Sequence, residues 1–238
     1  MTTARGFTLI EMAVALVVIA LVLGSILVPL TAQVEQRQIS DTQKALEETK
    51  EALIGFALAN GYLPCPDKTG GGGAGTANDG TEDVTAATGA CVVTEGNVPW
   101  LTLGVTATDV WGNRFRYRIT GTFAQRSPGI TFTLATTGSL TVTCPAPACS
   151  PAYTYTTSAP AVIMSHGKNG WGAINANTGT ANTAPTSTDE LENTNGDTTF
   201  VNRPPSTVGS TAGEFDDILS WLSPNILFNR MVAAGKLP

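Results

Sequence analysis

The chain has 238 residues, a formal net charge of −6 and only 13% charged side chains. An acidic, weakly charged chain has no electrostatic reason to seek nucleic acid or anionic lipid, and abundant Thr, Ala, Gly and Asn fit a β- and loop-rich extracytoplasmic protein. With the apolar stretch near the start set aside, roughly 200 residues remain, enough for one compact domain with its own core.

Residues 7–30 are almost wholly apolar, and Glu11 is the one charge among them. About 24 residues at 1.5 Å each make about 36 Å of helix, more than the roughly 30 Å of a bilayer core. Arg5 immediately precedes the run, which predicts a short cytoplasmic tail and places the rest of the chain outside the cytoplasm. A secretory signal peptide would carry its small-residue cleavage site after a shorter apolar core. Here the small residue, Gly6, stands before the run. A plain signal anchor explains the hydrophobicity but not Glu11, because a carboxylate in a membrane span is costly and usually functional.

The segment Gly6-Phe7-Thr8-Leu9-Ile10-Glu11-Met12 resembles the class III signal of type IV prepilins and type II secretion pseudopilins. The resemblance implies a leader of residues 1–6, cleavage between Gly6 and Phe7 by a prepilin peptidase, and methylation of the new amine on Phe7. It implies an assembly role for Glu11, a single inner-membrane pass at 7–30, and a head in the periplasm that later joins a pilus or pseudopilus. The implied partners are that peptidase, other pilin or pseudopilin subunits, the inner-membrane assembly platform and the membrane itself. In a dry filament core the Glu11 carboxylate must be neutralised, and the Phe7 amine of the same or a neighbouring subunit can do so.

Residues 31–60 read as an amphipathic helix. Ile39, Leu46 and Leu53 recur every seven residues, with Ile54, Phe56 and Leu58 thickening the stripe. Asn60-Gly61, with Pro64 beyond, is a stop signal. Together with the membrane span this predicts a rod of about 80 Å.

All four cysteines, Cys65, Cys91, Cys144 and Cys149, follow the apolar run, which predicts two disulfides in an exported segment. Of the three pairings, Cys65–Cys91 with Cys144–Cys149 is favoured, since each closes a local loop rich in Pro or Gly. Zinc is disfavoured: Cys65 and Cys91 are no close pair, and the single histidine, His166, is remote. The glycines from Gly70 to Gly75 read as an exposed flexible loop. They lack the Gly-Lys-Ser/Thr ending and preceding strand of a phosphate loop.

In Asp109-Val110-Trp111-Gly112-Asn113-Arg114-Phe115-Arg116-Tyr117-Arg118-Ile119, aromatics alternate with arginines, predicting a strand with one apolar and one cationic face. The cationic face reads as solvated or as facing a neighbouring subunit; DNA is disfavoured because the rings point the other way. Further strands are expected at 130–134, after Pro128-Gly129, around Leu140 and Val142, and at 161–164. Towards the C-terminus, residues 215–222 and 224–232 both have helical apolar spacing, and Ser223-Pro224 starts the second short helix.

A second resemblance is to the major pseudopilin of type II secretion. Residues 109–113 with the strand behind them look like one of its signature segments. Residues 165–172 and Asp217-Ile218-Leu219-Ser220-Trp221 resemble its C-terminal calcium loop. This implies calcium as a cofactor, with Asn169 and Asp217 as candidate ligands. Asn169 stands where an aspartate is usual, and a long insertion offers Asp189, Glu190, Glu192, Asn193, Asn195 and Asp197 as further oxygen donors. The competing reading is a solvated polar loop.

Ser165-His166 and Asp216-Asp217 invite catalytic readings, but no nucleophile motif surrounds the histidine and adjacent carboxylates seldom form a dyad. The expectation is therefore not an enzyme. It is an α+β, pilin-like fold: a long N-terminal transmembrane and amphipathic helix packed on a small antiparallel-sheet head. Residues 61–238 form that β-rich head with disulfide loops. The expected function is a structural subunit of a type IV pilus or type II secretion pseudopilus. The alternatives are a minor pilin acting as an adhesion or DNA-uptake module, and a monomeric membrane-anchored protein.

Overall fold

The computed structural model describes residue 6 and residues 8–126 and 132–237, without the side chains of residues 23 and 25–30. The chain divides into two units, residues 1–41 and 42–238, and helix α1 (Leu9–Asn60) contributes to both. In the N-terminal unit the apolar side chains of α1 are exposed, Leu9 at 90%, Ile10 at 73% and Leu21 at 69% among them. Among the described residues, no helix is long and apolar enough to cross a membrane.

In the second unit α1 buries one stripe, Thr42, Leu46, Thr49, Leu53 and Ala57, spaced three and four residues apart. Leu46 and Leu53 of the sevenfold pattern are fully enclosed, and Ile39 is half-buried. The stripe joins a core that includes Phe115, Tyr117, Phe123, Ile163 and Leu227. Thr49, a weak helix former, satisfies its buried hydroxyl by donating to Ala45 O at 2.8 Å. The helix stops at Asn60 because Gly61 turns into the left-handed region, φ +85°, and donates back to Ala57 O at 2.7 Å.

Two sheets follow. The first has four antiparallel strands in the order β1 (Glu95–Asn97), β2 (Arg116–Ile119), β5 (Ala161–Ser165) and β7 (Ile218–Trp221). The second has three, in the order β4 (Tyr153–Ala159), β3 (Leu140–Cys144) and β6 (Thr199–Val201). There β3 and β4 are antiparallel and β3 and β6 parallel, so the head departs from a purely antiparallel sheet. Short helices α2 (Trp100–Leu103), α3 (Thr188–Glu192) and α4 (Pro224–Ala233), with a single 3-10 turn at Gly121–Phe123, complete the described elements.

Strand β5 explains its own composition. Every one of its residues is buried. Ala161 and Ile163 enter the core shared with α1, while Val162 and Met164 enter a second core with Leu140, Val142, Ala159 and Phe200. A strand covered on both faces needs an unbroken apolar run, not alternation.

Three expectations are corrected. Of the strand predicted at 130–134, Ile130 and Thr131 lie outside the described residues, as do Pro128 and Gly129. Residues 132–134 form no strand: Thr136 closes a turn on Thr133, and Phe132 is buried against Phe123 with ring centroids 4.9 Å apart. The helical reading of 215–222 also fails, since residues 218–221 pair with β5 as β7. The cationic face of β2 is not simply solvated: Arg116 and Arg118 both pair with Glu95 across the β1–β2 register, and Arg114 stacks 3.8 Å over the Trp100 ring. Glu95 is the opposing charge that a strand read alone could not supply.

The four cysteines form two disulfides, Cys65–Cys91 and Cys144–Cys149, with Cα atoms 5.2 and 5.7 Å apart.

Candidate metal centre and processing segment

The segment Asp109-Val110-Trp111-Gly112-Asn113 is a turn organised by one carboxylate. Asp109 Oδ1 accepts from the backbone N–H groups of Trp111 and Asn113, at 3.0 and 2.9 Å. Its Oδ2 accepts from Ser165 Oγ at 2.7 Å, fixing the end of β5. Ser165 Oγ in turn accepts from Gly167 N–H at 3.1 Å, which shapes the loop 166–172. Burial raises the Asp109 carboxyl above its ordinary value, and these hydrogen bonds oppose the shift.

Gly167 has φ +62°, and a Cβ there would lie 2.3 Å from Asp216 O and 2.5 Å from Asp216 Cγ. Glycine thus lets Asp216 sit directly on the loop, where its Oδ2 accepts from Asn169 N–H at 2.8 Å. The inserted helix α3 approaches the same place. Asn169 Nδ2 donates to Glu190 Oε1 at 3.0 Å, and Asp216 N–H donates to that oxygen at 3.2 Å. Asp217 Oδ2 accepts from Asn193 Nδ2 at 2.8 Å.

Glu190, Asp216 and Asp217 therefore converge, each offering a carboxylate oxygen within 4.8 Å of the others. Glu190 Oε2 and Asp216 Oδ1 are buried without a hydrogen-bond partner. Burial pushes the Asp216 carboxyl up to about 6 and the Asp217 carboxyl well above its usual range, and the neighbouring carboxylates add to both shifts. Carboxylates that resist ionisation alone, with oxygens left over, fit a hard cation.

His166 belongs to the rim of this cluster. Arg116 Nε donates to His166 Nε2 at 3.1 Å, so the proton of the neutral ring sits on Nδ1, 3.8 Å from Asp217 Oδ1. Burial first, and the Arg116 charge second, hold His166 well below its usual pKa. Ser165 and His166 thus have separate partners and do not face each other as nucleophile and base.

The structure brings Asn169 and Asp217 of the sequence reading to one place. The Asn169 side chain serves it as a donor, while its Oδ1 accepts from Trp171 N–H at 3.0 Å. Among the insertion's other donors, Asp189 pairs with Arg203, and Asn195 bonds Glu192 and Asp197. Glu190 is the carboxylate that sequence spacing did not single out.

At the N-terminus, Gly6 is exposed, and among the described residues nothing beyond its chain neighbours lies within 4 Å of where its Cβ would be. Phe7 lies outside the described residues. Thr8 and Glu11 form a capping box: Thr8 N–H and Oγ1 donate to Glu11 Oε2 at 2.8 and 2.7 Å, and Glu11 N–H donates to Thr8 Oγ1 at 3.3 Å. The Thr-x-x-Glu spacing before an apolar run is a sequence signal for this cap that the assembly reading of Glu11 passed over.

Residues 1–27 match the family model described as the prokaryotic N-terminal methylation motif. The match is confined to the N-terminal stretch and includes Gly6-Phe7-Thr8-Leu9-Ile10-Glu11-Met12, the segment that resembles a class III signal. No curated protein and no solved structure matches the chain.

Proposed function

We propose that the chain is a structural filament subunit of a type IV pilus or type II secretion pseudopilus, held in the inner membrane by residues 7–30 until it assembles. The observation that carries this reading is the methylation motif at residues 1–27, set on a helix that continues to Asn60 and into the core of the head. The exposed apolar side chains of α1 between Leu9 and Val22 need a non-aqueous environment, which a bilayer first and a filament core later would provide. The prepilin peptidase cuts between Gly6 and Phe7, and the amine so made on Phe7 neutralises Glu11 of the same or a neighbouring subunit. The head, with its candidate calcium centre at Asp217 and its neighbours, is displayed outside the membrane.

The test is fractionation of cells that carry the assembly machinery, followed by detection of the chain in sheared filaments. The expected result is wild type in the filament fraction and an uncleavable Gly6 variant confined to the membrane. Equal recovery of both from the membrane alone would refute the filament role.

A further inference from the structure

Glu190 belongs to neither of the two segments that resemble a calcium loop. It follows Asn169 by 21 residues and precedes Asp216 by 26, yet it is only 1% exposed. Its Oε1 accepts two hydrogen bonds and its Oε2 none. Two unmatched carboxylate oxygens, beside the buried Asp217, form an expensive arrangement unless a cation joins them.

The donor set selects the cation. It is all oxygen, and the imidazole nearest to it, His166, turns a proton and not a lone pair towards Asp217. That disfavours zinc and other metals that prefer nitrogen or sulfur. Oxygens up to 4.8 Å apart are within reach of calcium, at about 2.3–2.6 Å from each; magnesium, at about 2.0–2.1 Å, asks for a tighter octahedron. Asn169 Nδ2 lies 3.0 Å from Glu190 Oε1, so a carboxylate at position 169 would occupy nearly the same ground.

We infer that Glu190 is the third carboxylate of a calcium centre made with Asp216 and Asp217, acting in place of a carboxylate at 169, and that the ion fastens α3 of the insertion to the loop 166–172. The inference rests on the cation reading of this cluster. The insertion is already anchored by β6, whose Phe200 enters the second core. The ion would act on the stretch before it, where α3 contributes no buried apolar side chain.

The experiment uses the full chain in detergent micelles, stripped with chelator. Calcium affinity is measured by calorimetry. Terbium alone serves as an optical probe, sensitised by Trp171, whose N–H is bound by Asn169 Oδ1. Hydrogen exchange is followed on peptides covering residues 188–193. The wild type is expected to bind one calcium and to gain about tenfold protection at 188–193. Glu190→Gln should lose about tenfold or more in affinity and all of that protection, while Glu192→Gln should match the wild type. Adding Asn169→Asp to Glu190→Gln should restore the affinity, which also shows that the variant folds. If Glu190→Gln does not fold, the wild type decides: absence of calcium-dependent protection at residues 188–193 overturns the inference. Wild-type affinity in Glu190→Gln, or unchanged exchange at 188–193, overturns it too and leaves the cation reading intact. A wild type that binds neither calcium nor terbium overturns both.

Discussion

Glu11 carries two roles that a single substitution confounds. In the isolated chain its carboxylate caps the first turn of α1 through Thr8; in the proposed filament it meets the Phe7 amine. Thr8→Ala removes the hydroxyl half of the cap at a cost of about 1 kcal/mol to the helix start, and leaves the charge in place. Glu11→Gln keeps an acceptor for the cap and deletes the charge. If neutralisation drives assembly, Glu11→Gln should be cleaved and membrane-inserted normally but poorly incorporated, and Thr8→Ala should assemble. Quantifying cleavage, membrane level and filament content for both variants decides it. Poor incorporation of Thr8→Ala alone would make the residue a helix cap and no more.

At the scale of elements, α1 and β5 were legible in the sequence because their patterns are local. The sevenfold spacing of Leu46 and Leu53 and the run Ala161-Val162-Ile163-Met164 each state which faces are covered. Strand β7 was not legible. Apolar residues at 218, 219, 221 and 222 fit a helix as well as a strand, and only pairing with β5 decides between them. Glu190 was hidden for a related reason, since its role depends on where the insertion folds back. The packing of α1 gives a direct prediction. Leu53, fully buried against the head, should cost about 2–5 kcal/mol when changed to Ala, read from denaturant melts of the full chain in micelles. A cost below about 1 kcal/mol would mean that the helix is not part of the core. Replacing Cys65 and Cys91 together by Ala should cost about 2–5 kcal/mol by freeing a 26-residue loop in the unfolded chain.

For the whole molecule, buried carboxylates set the response to pH. Burial raises Asp67 to about 6, against hydrogen bonds from Gly80 N–H and Asn97, and raises Asp83 and Asp109 as well. A carboxyl whose folded pKa exceeds its unfolded value holds more protons when folded. The contribution of Asp67 to stability therefore falls as pH rises from about 4 to about 6 and stays lower above that window. Neutral, buried His166 works in the opposite sense, so the comparison is between variants: in chelator, Asp67→Asn should raise the melting temperature at pH 7.5 relative to pH 5 when compared with the wild type. An Asp67→Asn variant with the same pH dependence as the wild type would contradict the burial account. Calcium bound at the inferred centre would act in the opposite sense, favouring the ionised cluster, and should raise the melting temperature most at pH 7.5. Calcium at about a hundred times its dissociation constant adds about 2.7 kcal/mol.

The central claim is that this chain is a pilin-like precursor matured at its N-terminus. Mass spectrometry of the N-terminal peptide from membranes of cells with an active prepilin peptidase tests it most directly. The account predicts a chain that begins at Phe7 with a methylated amine, and the unprocessed form when the peptidase is removed. A mature chain that still begins at Met1, or one cut after residue 30, would contradict it.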